Sequence, residues 1–350
     1  MTEIEKNVII DNSISSIKCG LSGDETPKSV FPNIYSPNSD KIGDYTQNDN
    51  VHPIVHGIIK DFDKMEKIWE YVFDNELHVK PEEKMVLMSD APMAPKINRE
   101  KICQIMFEKF NIQGLFICIR PLLSLYCTGK TNAIILESGE DLTQCVPIIE
   151  GYFYPFTISK CNYGGNILTD YFSKYLKENN INPSHNILEE MKKKAKLSLD
   201  YDKESKESNN TKVNLPDGKE ICLKNEILDS CEALFNPLKF NKEFTGIQYQ
   251  VYNSLYNCDN NLRNELISNI VLSGGNTLIN NFAERMENEI SCLINKSLSD
   301  SVKVSAPNER RDSAWIGGSL IANLQNFQGN WVMNNDYQEA GPQIINRKCF

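Results

Sequence analysis

Short apolar runs and helical stripes alternate along this chain, and one such sequence of elements occurs twice. Near the amino terminus VII (8–10) ends on Asp11 and passes through the turn Ser13, Ile14, Ser15 into SIKCGLSG. That pattern reads as a strand, a tight turn and a second strand. Pro27 and Pro32 bound the strands that follow, and SPNSDKIGDYTQNDN (36–50) is a loop by composition. KMEKIWEYVFDNEL (64–77) and NREKICQIMFEKF (98–110) show helical spacing. In the second, Ile102, Ile105, Met106 and Phe110 form one stripe, and KMVLMSD (84–90) between the two helices predicts a short buried strand.

A second hairpin pattern, AIILESGEDLTQCVPII, spans 133–149. Like the first it runs apolar strand, acidic residue, small polar turn, second strand. GYFYPFTISK and an amphipathic helix, NILTDYFSKYLKEN, come next. A duplicated hairpin-plus-helix unit implies two related lobes. Further on, DYDKESKESNNTKVN (200–214) reads as a solvated loop, VNLPDGKEICL as a short hairpin with an apt PDG turn, and LKFNKEFTG (238–246) as a polar loop. VLSGGNTLINNF (271–282) predicts a strand, a double glycine and a helix striped by Phe282, Met286, Ile290 and Leu293. SAWIGGSLIANL (313–324) predicts a helix rich in small residues.

The 350 residues suit two lobes better than one core, and 40% hydrophobic with 24% charged residues is an ordinary globular balance. A net charge of −10 opposes non-specific nucleic-acid binding, which needs cations against phosphate. The 11 cysteines include no CxxC pair, and His52, His56, His78 and His185 lack the spacing of a zinc site. Free, mostly buried thiols in a reducing compartment are expected. MTEIEKNVII is too acidic and too briefly apolar for a signal segment, and no run approaches the roughly 18 apolar residues of a membrane span. A soluble intracellular protein is therefore expected.

Gly274 and Gly275 in LSGGNT allow positive φ and close backbone approach to a ligand, and a helix start behind them would offer N–H groups to an anion. An ordinary strand-to-helix turn looks the same in isolation. Asp11 and Glu137, at corresponding hairpin positions, are suited to a hydrated Mg²⁺, and Lys18 to neutralising phosphate. Taken singly, a strand-end acid is as well explained as a cap. Together these features suggest phosphates clamped between two lobes.

GDETPKSVFP (23–32), HGII (56–59), DKMEKIW (63–69), NREKICQIMFE (98–108), LLSLYCTG (122–129), VPIIEGY (146–152), LTDY (168–171), VLSGG (271–275), APNERRDSAWIGGS (306–319) and NRKCF (346–350) follow one another in the order found in actin. On these motifs, which cover essentially the whole chain, the sequence resembles actin and the actin-related proteins. The resemblance implies an α/β actin-like ATPase fold, shared with Hsp70 and sugar kinases. Two duplicated lobes, each a mixed β-sheet with flanking helices, would form four subdomains around a nucleotide cleft. Subdomain 1 would comprise 1–32, 53–127 and 313–350, a shortened subdomain 2 residues 33–52, subdomain 3 residues 128–163 and 243–312, and subdomain 4 residues 164–242.

The resemblance also assigns site residues. Those implied to hold ATP or ADP with Mg are Asp11, Ser13, Ile14, Ser15, Lys18, Glu137, Ser138, Gly139, Glu140, Asp141, Gly165, Lys192, Gly274, Gly275, Asn276, Ile279 and Arg311, with Asp11 and Glu137 reaching the metal through water. Several depart from the family pattern. Ile14 and its two serines replace a glycine-flanked serine, Glu137 an aspartate, Asp141 a glycine and Arg311 a lysine. Ile279 stands where an aromatic stacks on adenine, losing the stacking but keeping apolar contact. Arg120 and Gln144 occupy the positions that handle the attacking water, a glutamine and a histidine in the family. Arginine accepts no proton. Weakened nucleotide binding and slow or absent hydrolysis follow as expectations.

Polymerisation surfaces differ as well, because the 36–50 loop is shorter than actin's and LKFNKEF (238–244) is more polar than the family's inter-strand plug. Tyr126, Tyr152, Ile321 and Phe327 would line a cleft between subdomains 1 and 3 that takes amphipathic helices of partner proteins, other actin or actin-related subunits among them. The expected role is a divergent structural subunit of a cytoskeletal or related assembly, cytoplasmic or nuclear, touching neither membrane nor nucleic acid directly. A polymerising ATPase is the alternative, and a small-molecule kinase on the same fold is a third reading that the whole-chain resemblance opposes.

Overall fold

A computed structural model describes residues 6–46, 49–207, 210–214, 218, 220–240 and 242–349. Most of the PDG turn and Phe350 of NRKCF lie outside the described residues, as do parts of the 36–50, 200–214 and 238–246 segments. The chain divides into two compact units, Met1–Thr131 with Asp312–Phe350, and Asn132–Arg311.

In the first unit β1 (Val8–Asn12) is buried along its whole length, as a central strand covered on both faces must be. It pairs antiparallel with β2 (Ser16–Leu21), which pairs antiparallel with β3 (Ser29–Pro32). On its other side β1 runs parallel to β4 (Met85–Asp90), and β4 parallel to β5 (Gly114–Ile119). Parallel neighbours require crossovers, which here carry α1 (Phe62–Tyr71) and α2 (Lys96–Glu108). The Asp61 carboxylate caps α1 by accepting from Lys64 N. The helix expected over 64–77 changes character midway: Val72–Leu77 widens into a π-helix that ends at His78 with φ +55°. The α2 stripe is buried at Ile102, Ile105, Met106 and Phe110. The stretch expected to be a plain loop at 36–50 begins with a small hairpin, Tyr35–Ser36 against Lys41–Ile42. Lys67 ties it down by donating to the Tyr35 hydroxyl (2.5 Å) and pairing with Asp40 (2.8 Å).

β5 leads directly into α3 (Arg120–Cys127). The second unit then repeats the sheet of the first. β6 (Ala133–Ser138) pairs antiparallel with β7 (Thr143–Ile148), and β7 with β8 (Ser159–Cys161). β6 runs parallel to β9 (Ile270–Ser273), and β9 parallel to β10 (Val304–Ser305). The spatial order 3-2-1-4-5 of the first sheet thus recurs as 8-7-6-9-10 in the second. Register sharpens the duplication. Asp11 faces Lys18 across the first hairpin and Glu137 faces Gln144 across the second. Around this sheet pack α4 (Asn166–Glu178), α5 (His185–Lys193), α6 (Glu226–Phe235) and α7 (Phe282–Leu293). Phe282, Met286 and Ile290 are buried as the stripe predicts; Leu293 is half-buried and Ile294 behind it is buried.

The chain returns to the first unit in α8 (Ser313–Ala322), and Val332–Met333 closes the sheet edge antiparallel to β5. A Cβ on Gly317 would lie 1.8 Å from the Leu123 carbonyl, so only glycine lets α8 cross α3 this closely. Trp315 is fully buried and donates to Ile9 O, tying α8 to β1. At the chain's end Ile117 N donates to Cys349 Sγ and Arg99 donates to Cys349 O, so Cys349 is a core residue.

Burial pushes the Cys19, Cys103, Cys145 and Cys231 thiols up to about 12, and Cys349 to about 11, whereas Cys222 and Cys292 are exposed. The thiolate is the reactive form, so little of it exists at the buried positions near neutral pH. Iodoacetamide at pH 8 should modify Cys222 and Cys292 within minutes and leave Cys19, Cys103, Cys145, Cys231 and Cys349 unlabelled until denaturation, as read by peptide mass spectrometry. Rapid labelling of Cys349 would show that the C-terminal segment is not docked.

Candidate functional site

In the first unit the tip of the β1–β2 hairpin is closed by Ser13 N donating to Ser16 O. Asn33 holds it from outside, its N–H reaching Ser15 O (3.3 Å) and its amide Nδ2 reaching Ser13 O (2.7 Å). None of Ser13, Ile14 and Ser15 has positive φ, so this turn needs no glycine. Ile14 packs partly buried against the unit's apolar core. The two turn hydroxyls, Ser13 Oγ and Ser15 Oγ, lie 3.4 Å apart.

Behind the turn the Asp11 carboxylate is buried and accepts from Ser89 Oγ (2.6 Å), while Lys18 Nζ sits 3.3 Å from its second oxygen. Ser89 Oγ also accepts from Asn12 N (2.9 Å), and Lys18 reaches Asp312 at 3.4 Å. Lys18 is therefore a buried cation held between two carboxylates. The Arg120 guanidinium, also buried, donates to Asn12 O at 2.9 Å. Trp69 donates to Asn12 Oδ1 (3.1 Å), leaving the buried Asn12 Nδ2 without a partner. Burial pushes the Asp90 carboxyl upward against the pull of Arg99, whose Nε lies 2.7 Å away, and of Arg120.

In the second unit Gly139 N donates to Leu142 O to close the β6–β7 turn. Ser138 Oγ lies 2.8 Å from Thr143 Oγ1 and accepts from Asn276 Nδ2 (2.9 Å). Gln144 Nε2 donates to Glu137 Oε2 at 2.5 Å; its own Oε1 is buried without a partner. Backbone meets backbone around this tip. A Cβ on Gly164 would lie 2.2 Å from Gly139 O, and one on Gly274 would lie 2.4 Å from Ser138 O. Gly274 also has φ +89° and donates to Arg310 O, whereas Gly275 has neither positive φ nor a close neighbour. Glu140 accepts from Lys192 and Thr169, and Asp141 is buried.

A helix start expected directly behind the double glycine is not there. Gly275–Leu278 forms a 3₁₀ turn, Ile279 is extended and packs partly buried on the core, and α7 begins only at Phe282. Asn281 at φ +68° separates the two elements, so α7's free N–H groups do not follow Gly274 and Gly275.

The model of the family described as Actin matches residues 2–213 and 183–350. The chain belongs to the actin family. Its two α/β units with the same mixed sheet order are the actin-like ATPase fold that the motifs imply. Actin-family proteins typically bind an adenine nucleotide with a divalent metal. The residues of each hairpin tip suit that group. The buried Asp11 and Glu137 carboxylates are the ligand type a hydrated Mg²⁺ takes. Ser13, Ser15 and Ser138 supply hydroxyls, and Gln144 Oε1 is an unpartnered polar atom beside the Glu137 carboxylate. Among the described residues no group of three or more His, Cys, Asp or Glu is arranged to hold a metal through protein ligands alone.

The first unit brings Asp11, Lys18 and Arg120 together behind the Ser13–Ser15 turn. The second gathers Glu137 to Asp141 with Gly165, Lys192, Gly274 and Asn276. Arg311 is exposed at the end of this unit. Ser89, Asn33, Asp312 and Thr169 escaped sequence reasoning, since their roles depend on strand register and loop contact. Of the expected cleft residues Tyr152 is 63% exposed, Tyr126 is half-buried and Phe327 packs edge-on to Phe116 and Trp331. Ile321 is a correction: it is 7% exposed on the inward face of α8 and belongs to the core. Tyr154 and Phe156, unremarked in the sequence, are 53% and 70% exposed beside Tyr152, their rings 5.6 Å apart. Among the described residues no helix is long and apolar enough to cross a membrane.

Gly274→Ala should destabilise the protein by roughly 2–4 kcal/mol, through positive φ and collision with the Ser138 carbonyl together. Gly275→Ala should be close to neutral. Chemical denaturation of the two variants checks this, and equal effects would overturn the distinction.

Proposed function

We propose that this actin-family chain is a structural subunit of a cytoskeletal or related multiprotein assembly, cytoplasmic or nuclear, which holds an adenine nucleotide as a cofactor of its fold and hydrolyses it slowly or not at all. The observation that carries the reading is Arg120. At the position implied to handle the attacking water it presents a buried guanidinium committed to Asn12 O at 2.9 Å. That group has five donors and no atom able to take a proton. Gln144 supports the reading in the other unit: its amide donates to Glu137, and its Oε1 can accept a hydrogen bond but is not a base.

A bound nucleotide supplies a phosphoryl group whose transfer to water depends on positioning and charge stabilisation. This chain's residues keep the second capacity and lose the first. Lys18, Arg120 and the two carboxylates still place charge at the tips. Neither substituted side chain offers the orienting pair of an amide and an imidazole. Participation in an assembly is supported by the aromatic segment Tyr152 to Phe156, because exposed aromatics of this kind mark contact surfaces.

Phosphate release from Mg-ATP should stay near the uncatalysed background, and the double variant Arg120→Gln with Gln144→His should raise it by about tenfold or more. Release by the unaltered protein at the rate of a filament-forming actin would overturn the reading. So would long helical filaments in electron micrographs after addition of polymerising salt.

A further inference from the structure

We infer that Glu140 is an internal anion that competes with bound nucleotide for Lys192, so that the turn of the second hairpin is latched shut until a ligand displaces the carboxylate. The inference rests on the nucleotide-binding reading above and adds how access to that site is regulated. Lys192, in the last turn of α5, places its Nζ 3.0 Å from each Glu140 oxygen and 3.3 Å from Glu189 Oε1. A lysine ammonium has three N–H donors. Glu140 takes two of them and Glu189 draws the ammonium from a third side as an ion pair, so an acceptor on a ligand competes with Glu140 for this charge.

Glu140 is the partner held most tightly. Thr169 Oγ1 donates to its Oε1 at 3.0 Å, and its backbone carbonyl accepts from Asn166 N at 2.7 Å. Its Oε2 lies 2.8 Å from the place a Cβ on Gly165 would occupy, so the absence of a side chain there is what admits the carboxylate. Side chain and backbone of one residue thus bind the Gly139–Leu142 turn to the first turn of α4. The Glu140 side chain is still 32% exposed and that of Lys192 16%, so the pair is reachable by solvent and exchangeable at modest cost.

Glu140→Gln keeps the shape and removes the charge. It should bind ADP about fivefold to tenfold more tightly than the unaltered protein, as measured by calorimetry at low salt, and the advantage should shrink as salt screens the native pair. Lys192→Met should weaken binding. In the ligand-free protein, hydrogen exchange at the Gly165 and Asn166 amides, which donate to Gly139 O and Glu140 O, should speed up in Glu140→Gln. Equal or weaker ADP binding by Glu140→Gln, with the unaltered protein binding ADP normally, would overturn the latch and leave the nucleotide reading standing. Binding by Glu140→Gln alone would support the latch and overturn nucleotide as a standing cofactor. Binding by neither protein would overturn both, and unchanged exchange at the two amides would overturn the latch irrespective of ligand.

Discussion

The structure turns on one cross-strand contact made twice: a buried carboxylate at the tip of a hairpin, hydrogen-bonded by the residue opposite it. In the first unit it is Asp11 with Lys18, in the second Glu137 with Gln144. A buried carboxylate without donors would cost several kcal/mol, so its partner is structurally obligatory. The parallel neighbour repeats a detail too. Ser89 follows the residue paired with Ile10 and donates to Asp11, and Ser273 is paired with Glu137. Carboxylate, opposed donor and neighbouring serine are thus one module, and the rest of each unit is a sheet and helices that keep its strands in register.

This dependence explains why the departures from the family pattern do not disturb the fold. The Ser13–Ser15 turn loses its glycines, yet none of its residues adopts positive φ, and Ile14 finds apolar neighbours. Glycine persists where backbone meets backbone. At Gly164, Gly274 and Gly317 a Cβ would sit 2.2, 2.4 and 1.8 Å from a carbonyl oxygen. Close approach, unlike turn conformation, admits no compensation by repacking.

Much of this was legible in the sequence because it rests on local periodicity. The apolar run before Asp11, the α2 stripe and the echo between the two hairpins follow from side-chain spacing alone. What sequence did not show depends on register and tertiary contact. The π-helical widening at Val72–Leu77 is set by packing, and the break before α7 by the conformations of Ile279 and Asn281. That Lys18 lies against Asp11 depends on register, and that Asp312 is within its reach depends on the chain's return. Ile321 reads as a surface residue because its helix is apolar nearly all round, a pattern in which spacing no longer distinguishes the faces.

The two copies of the module have diverged in charge, and that divergence separates scaffold from chemistry. Lys18 brings a full positive charge to Asp11, whereas Gln144 satisfies Glu137 geometrically and brings none. An amide meets the hydrogen-bonding demand of a buried carboxylate as well as an imidazole does, so the fold is indifferent to the exchange. It lacks the second property of imidazole, a proton acceptor with a pKa near neutrality. Arg120 is the same trade at α3, since a guanidinium that donates to Asn12 O stabilises the tip while offering nothing basic. In this chain each tip carboxylate has its donor, Lys18 in one unit and Gln144 in the other, and only one of the two donors brings charge.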